Sequence, residues 1–154
     1  MRKIRSYIIL FYCLIFVSVC QSQAPCPAGF SNYKFRKEIP ITNSNASLLS
    51  DYQVKIQLNT SVLINSGDMT ISGSDIRFVS SAGTSLPFWI DPDSFNSSNS
   101  DIWVKVDALA VGVTSIFMFH GNNGVSSVSS GTSTFEIFDD FSSPIIQSSV
   151  WETE

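Results

Sequence analysis

The chain predicts an antiparallel β-sandwich, and three observations carry that reading. The segments DIRF (75–78), LPFWI (86–90), DIWVKV (101–106) and SIFMFHGN (115–122) are short, β-branched or aromatic, and separated by turn residues. Turn signals recur roughly every 8–12 residues, the spacing of a sandwich. Past residue 20 no apolar stripe of helical period runs for as many as about ten residues. No internal repeat of solenoid length is present either.

The elements follow in order. Tyr33, Phe35, Ile39 and Ile41 share one face at period two, interrupted by Lys37, with Lys34, Arg36 and Glu38 on the other. Residues 43–51 form a turn-rich connection. Residues 52–59 are the clearest strand. Tyr52, Val54, Ile56 and Leu58 alternate there with Gln53, Lys55 and Gln57, so one side is buried and the other wet. Residues 65–74 are looser, with turn signals at 66–68 and 72–74.

A short strand over 75–79 leads through a Ser/Gly hairpin loop to a returning strand over 86–90. Pro87 cannot donate to a ladder, which marks an edge or a strand start. After a polar loop over 91–100, Ile102, Val104 and Val106 alternate with Trp103, Lys105 and Asp107. Gly112 then turns the chain into residues 113–119. Ile116 and Met118 point one way there, Phe117 and Phe119 the other, as expected of a central strand covered on both faces. Residues 125–134 are Ser/Gly-rich and predict a surface connection. The architecture is all-β, a jelly-roll or immunoglobulin-like sandwich preceded by a signal-peptide helix.

The ends differ in composition from the middle. Arg2, Lys3 and Arg5 precede an apolar run from Tyr7 to Val19, broken only by Ser18. That run fits a signal-peptide core and is short of the roughly 20 residues a membrane span needs. Small residues allow cleavage after Cys20 or Ser22. An uncleaved anchor and lipidation of Cys20 are the other readings, and membrane association is expected only through them. Residues 1–20 are therefore assigned to the signal peptide, 21–32 to a linker, 33–138 to the sandwich, and 139–154 to the start of a second module.

Removing residues 1–20 leaves six Lys and Arg against thirteen acids, a net charge of −7. Nucleic acid and anionic membrane need clustered basic groups and are not expected partners. Past Cys13 and Cys20 only Cys26 remains, too few for a disulfide-stapled fold. The chain implies no cofactor.

The order DIRF, then LPFWI, DIWVKV, FHGN and F-x-x-FDDF resembles a domain-of-unknown-function family of secreted and surface proteins. In that family the unit precedes a concanavalin-A-like lectin or glucanase module. The resemblance covers about residues 33–141. It implies that FDDF (138–141) opens the second module, with Pro144 and Trp151 in it. The chain departs from the family pattern at Asp91, where Glu is usual, and at His120, where Tyr is usual.

Candidate site residues are few. His120 is the single histidine, at a strand end, and is weighed between a functional role and a satisfied turn residue. The pairs Asp91/Asp93 and Asp139/Asp140 suit either a glycosidase, which needs two carboxyls roughly 5–9.5 Å apart, or simple turn caps. Asp139 and Asp140 are also the one weak calcium pair. Trp89 and Trp103 are candidate sugar platforms, against a reading in which they pack between the sheets. Asn45, Asn59 and Asn96 head N-x-Ser tripeptides and are glycosylation acceptors in a eukaryotic host.

No nucleophile elbow or triad signature is present. The expectation is a secreted or surface-held, non-catalytic accessory or adhesion module, not itself an enzyme. Its partner would be extracellular glycan or a surface protein, met through Trp89, Asp91, Trp103 and His120. The alternatives are an accessory domain of a polysaccharide-degrading enzyme whose catalytic module lies elsewhere, and a structural spacer.

Overall fold

A computed structural model describes residues 27–142. The leader, Cys13, Cys20, Cys26, Pro144 and Trp151 lie outside the described residues. The strands are β1 (Phe35–Asn43), β2 (Leu49–Leu58), β3 (Arg77–Ser80), β4 (Ser85–Leu86), β5 (Phe88–Ile90), β6 (Ser100–Leu109) and β7 (Gly112–His120). Two short helices, α1 (Thr60–Asn65) and α2 (Gly131–Thr134), complete the elements. A four-stranded sheet in the order β1-β7-β3-β4 faces a three-stranded sheet in the order β2-β6-β5, and every pairing is antiparallel. The chain is therefore an all-β sandwich, as its sequence predicts.

The winding separates the two expected variants. First and last strands pair with each other, and β2 pairs with β6 in the opposite sheet. An immunoglobulin domain puts its first and last strands in different sheets. The order here therefore departs from the immunoglobulin one and shares with a jelly roll the pairing of its first and last strands.

The main core lies between the sheets. Ile76, Phe78, Ile116 and Met118 from one layer meet Phe88, Ile102, Val104 and Val106 from the other, all essentially excluded from water. The Phe78 and Phe88 rings touch edge to face at 5.2 Å. Each such side chain contributes roughly 1.5–3 kcal/mol before the entropy of ordering is subtracted.

A smaller core covers the outer face of the four-stranded sheet. Tyr33, Val79 and Phe119 are buried there, joined by Phe30, Phe117 and Val125. The Phe30 ring lies tilted against Phe119 at 4.7 Å, and the Arg36 guanidinium sits 3.9 Å above the Phe117 ring. The expectation that β7 is apolar on both faces holds for this reason. Two sequence readings are corrected here. Tyr33 does not share the face of Phe35; it packs with Phe119, while Phe35 stacks on His120 across the sheet. Phe30, placed by sequence in the linker, is part of this second core. Burial raises the Tyr33 hydroxyl pKa, with Asp75 adding to the rise and Arg77 opposing it.

Tyr52 is also corrected. It is about half exposed, while Val54, Ile56 and Leu58 pack inward. Leu49 and Leu109 pack on the core as well, although they have the opposite parity from Val54 and Val106. Both paired strands thus slip by one position at the same place. Asp51, at φ 50, is the residue that breaks the alternation.

The segment over 86–90 is not one strand. Leu86 closes the edge of the four-stranded sheet, and Phe88 opens the edge of the other. Pro87 sits at the crossing. It needs no ladder donor there, and its carbonyl accepts the Lys105 amide at 2.9 Å.

The residues between β2 and β3 contain α1, which no sequence signal announced. Asn59 caps it by accepting the Val62 amide at 3.2 Å, and Ser66 returns its own amide to the Val62 carbonyl. Thr60 and Ser100 are buried and share a 2.6 Å hydrogen bond. Thr60 Oγ1 accepts the Asn96 amide and Ser100 Oγ donates to the Ser94 carbonyl, which knits the 91–100 loop to α1.

Asp75, fully buried, locks this connection to the end of β7. One carboxylate oxygen accepts the Thr70 amide at 3.0 Å and its hydroxyl at 2.6 Å; the other accepts the Gly121 amide at 2.7 Å. Gly121 lies at φ +85, and a Cβ there would come within 2.8 Å of the Phe35 ring. Asp75→Asn keeps the volume but turns an NH₂ onto one of two backbone donors, whichever way the amide is placed. The expected loss is about 2–3 kcal/mol in urea unfolding, with the β circular-dichroism spectrum retained.

Candidate functional site

The outer face of the three-stranded sheet is where the chain places chemistry that the core does not use. Register puts three rows across it. The middle row is Lys55 on β2, Trp103 on β6 and Trp89 on β5. On one side lie Gln57 and Asp101, with Asp91 next along from β5, its amide bonded to the Asp101 carbonyl at 3.1 Å. On the other side lie Gln53 and Lys105. The alternation that buries Val54, Ile56, Ile102, Val104, Phe88 and Ile90 inward is what turns these residues outward.

The polar groups are ordered by one another. Asp101 accepts Gln57 Nε2 at 3.0 Å and Lys55 Nζ at 3.3 Å. The Gln57 hydrogen bond, with help from Lys55, holds the Asp101 carboxyl below the usual carboxylate range. Lys105 lies 3.5 Å from the Asp51 carboxylate. The Lys55 ammonium is also 6.0 Å from the Trp103 ring centre, the outer limit of a cation–π contact.

The two tryptophans lie outside the inter-sheet core and are half-buried. The segment after β7 covers them in part. Ser130 donates its amide to the Phe88 carbonyl at 2.8 Å, and the Ile90 amide donates to Ser129 Oγ at 2.9 Å. The chain then turns through α2 and lays Phe135 and Phe138 on the pair. Phe138 is 5.2 Å from Trp89, and Phe135 is 5.6 Å from Trp103 and 6.0 Å from Trp89, all edge to face. The 125–134 region is therefore more than a surface connection: it borders β5 and carries the aromatic cover. Phe138, the first residue of FDDF, is part of the sandwich.

The other candidates fall elsewhere. His120 ends β7 in the opposite sheet, buried, with Nδ1 2.9 Å from the Asp68 carbonyl and its ring 4.9 Å from Phe35. It is not brought to the tryptophans. Asp91 Oδ1 accepts the Asp93 amide at 3.1 Å, Asp139 accepts the Phe141 amide at 2.9 Å, and Asp140 accepts the Ser142 amide and hydroxyl. All three serve as local turn caps. Among the described residues no three His, Cys, Asp or Glu side chains converge to hold a metal ion.

Asn45, Asn59 and Asn96 are exposed. Asn45 donates to Asn43 Oδ1, Asn59 caps α1, and Asn96 lies at φ 58. A shallow open hollow of about 260 Å³, lined by Ser72, Ile90, Pro92, Phe95, Ser127 and Ser129, has no ionisable side chain in its wall. No helix among the described residues is long and apolar enough to cross a membrane.

Sequence reasoning missed Gln53, Gln57, Asp101 and Phe135 as site residues. The first three were legible as the wet partners of the alternating strands. Only the register, which joins strands about 46 residues apart in the chain, shows that they flank Trp103.

Replacing Gln57 by Ala removes the principal hydrogen bond on Asp101. Its pKa rises toward the ordinary value, measured by NMR titration. A carboxyl depressed in the folded state stabilises the fold above its unfolded pKa of roughly 3.9 and loses that contribution as pH falls through the folded value. The variant is therefore expected to retain less of this acid-dependent stability.

No curated protein and no solved structure matches the chain. Residues 72–154, which include the DIRF, LPFWI, DIWVKV and FHGN segments, match the family model described as Domain of unknown function (DUF2341), and the chain belongs to that family.

Proposed function

We propose that this chain is a non-catalytic binding module, secreted or surface-held, whose outer three-stranded sheet engages a neutral extracellular glycan. The observation that carries the reading is the Lys55–Trp103–Trp89 row flanked by Gln53, Gln57 and Asp101. Indole faces stack on the C–H faces of pyranose rings. Amide and carboxylate groups within a strand spacing of about 4.8 Å reach the sugar hydroxyls. The row runs across a sheet face, which suits an extended chain of sugars.

Charge favours an uncharged ligand. Lys55 is paired with Asp101 and Lys105 with Asp51, so neither cation is left to attract a polyanion. The leader-like first 20 residues support an extracellular setting. A surface protein presenting aromatic side chains is the second reading, favoured by the phenylalanines that already occupy part of the same face.

Trp103→Ala and Trp89→Ala are expected to lower retention on immobilised neutral polysaccharides by about tenfold or more, a loss of about 1.4 kcal/mol or above. His120→Gln, at the far sheet, is expected to leave binding unchanged. Affinity electrophoresis of the full chain measures all three. Wild-type protein that binds no glycan on a broad array sinks the reading.

A further inference from the structure

We propose that residues 129–138 form a displaceable strap, which covers the Trp89/Trp103 platform in the resting chain and leaves it when ligand binds. The inference deepens the glycan reading and rests on it for the identity of the ligand, but not for the motion.

Among the described residues, the hydrogen bonds from the strap to the sheet lie in its first six residues. Its start is tied to β5 by the Ser130 amide on Phe88 and by Ser129 Oγ on the Ile90 amide. Gln53 Nε2 reaches the Thr134 carbonyl at 3.1 Å. Beyond Thr134, no hydrogen bond among the described residues joins residues 135–138 to the sheet. The Phe135 amide turns back to Gly131 inside the strap. What holds the far half down is ring contact: Phe135 and Phe138 edge to face on the tryptophans, and parallel to each other at 5.8 Å. Ring pairs of this kind are worth roughly 0.5–1.5 kcal/mol each beyond their area, which a ligand stacking on the same indoles can replace.

The seat depends on one small residue. A Cβ on Gly131 would collide with the far edge of the Phe138 ring, so the ring keeps this seat only over a glycine and must shift if a side chain is added. The strap also competes for the right atoms. Phe135 contacts both indoles, and Gln53, one of the polar groups flanking them, is engaged by the strap instead of by solvent. Opening would free the indole surface and Gln53 together, and would leave the inter-sheet core untouched.

Native-state hydrogen exchange on the full chain tests the motion without any ligand. The Thr134 and Phe135 amides, bonded within α2, are expected to exchange through a local opening well before the amides of Val104 and Val106 in β6, and faster still in Phe138→Ala, whereas fraying of α2 alone would leave that rate unchanged. Equal opening free energies at both places overturn the proposal. Gly131→Ala, with Phe135→Ala/Phe138→Ala as the second variant, is expected to red-shift tryptophan emission and raise acrylamide quenching, with the β spectrum retained. Unchanged quenching in a folded variant overturns the proposal, as does loss of the whole sandwich in both variants.

The ligand arm is separate. Gly131→Ala is expected to bind neutral polysaccharide about tenfold tighter, because the cover no longer competes. Raised quenching with no glycan bound by either wild type or variant upholds the strap and removes the glycan reading. Raised quenching with unchanged glycan affinity upholds glycan binding and overturns the strap as its competitor.

Discussion

The fold turns on a buried carboxylate. Asp75 has no water to solvate it, and its oxygens are satisfied by Thr70 on one side and by the Gly121 amide on the other. Those bonds hold the irregular residues between α1 and β3 against the exit of β7. His120 adds a second tie at the same place through the Asp68 carbonyl. Since β7 is the strand that carries both the main core and the smaller one, fixing its end fixes the register on which both depend. The cost of leaving such a group unpaired in an apolar setting is several times the net value of an ordinary hydrogen bond. The interaction therefore specifies one arrangement more than it adds raw stability.

This gives a physical meaning to the motif pieces. The Asp of DIRF and the Gly of FHGN are partners in one bond, although 46 residues apart. The Pro of LPFWI lets the chain leave one sheet for the other. These residues serve the scaffold. The two sheets then have different fates: the outer face of the four-stranded sheet is sealed by Phe30, Tyr33 and Phe119, and the outer face of the other is left to Trp89, Trp103 and a polar surround. The proposed binding role is placed on the second sheet because the first has no comparable half-buried tryptophan pair on its outer face.

The sandwich was legible because period-two alternation is strong where one face is buried, as in residues 53–58 and 102–106. It failed where a local backbone event resets the period. Asp51 lies at positive φ and Tyr52 beside it is half exposed, a local irregularity that the period-two pattern alone does not place. Pro87 marked an edge correctly, but which sheet each side of it joins depends on long-range pairing. The six-residue α1 is shorter than any periodic stripe and rests on an Asn cap that reads equally well as a turn or a glycosylation tripeptide. The tryptophans were visible as candidates, and their position on an outer face, neither bare nor in the core, required the strap to be placed. His120 was singled out because it is the only histidine; rarity in composition says nothing of location, and the ring lies buried against Phe35, away from the tryptophans.

The arrangement of charge bears on what such a face selects. On a chain carrying −4 overall, an unpaired lysine row would attract anionic chains locally while the rest of the molecule repelled them. Here each of the two lysines beside the tryptophans has a carboxylate within about one side-chain contact, at 3.3 and 3.5 Å. Exposed pairs of this kind add little stability, on the order of 0–1 kcal/mol. Their consequence lies in recognition: they present fixed donors and acceptors around an apolar platform without net local charge. A ligand that gains from such a surface must offer flat C–H area and neutral hydroxyls together. On the proposed glycan reading, a polyphosphate would offer neither and would also meet an acidic field, so the residues that hold a neutral sugar chain would discriminate against it.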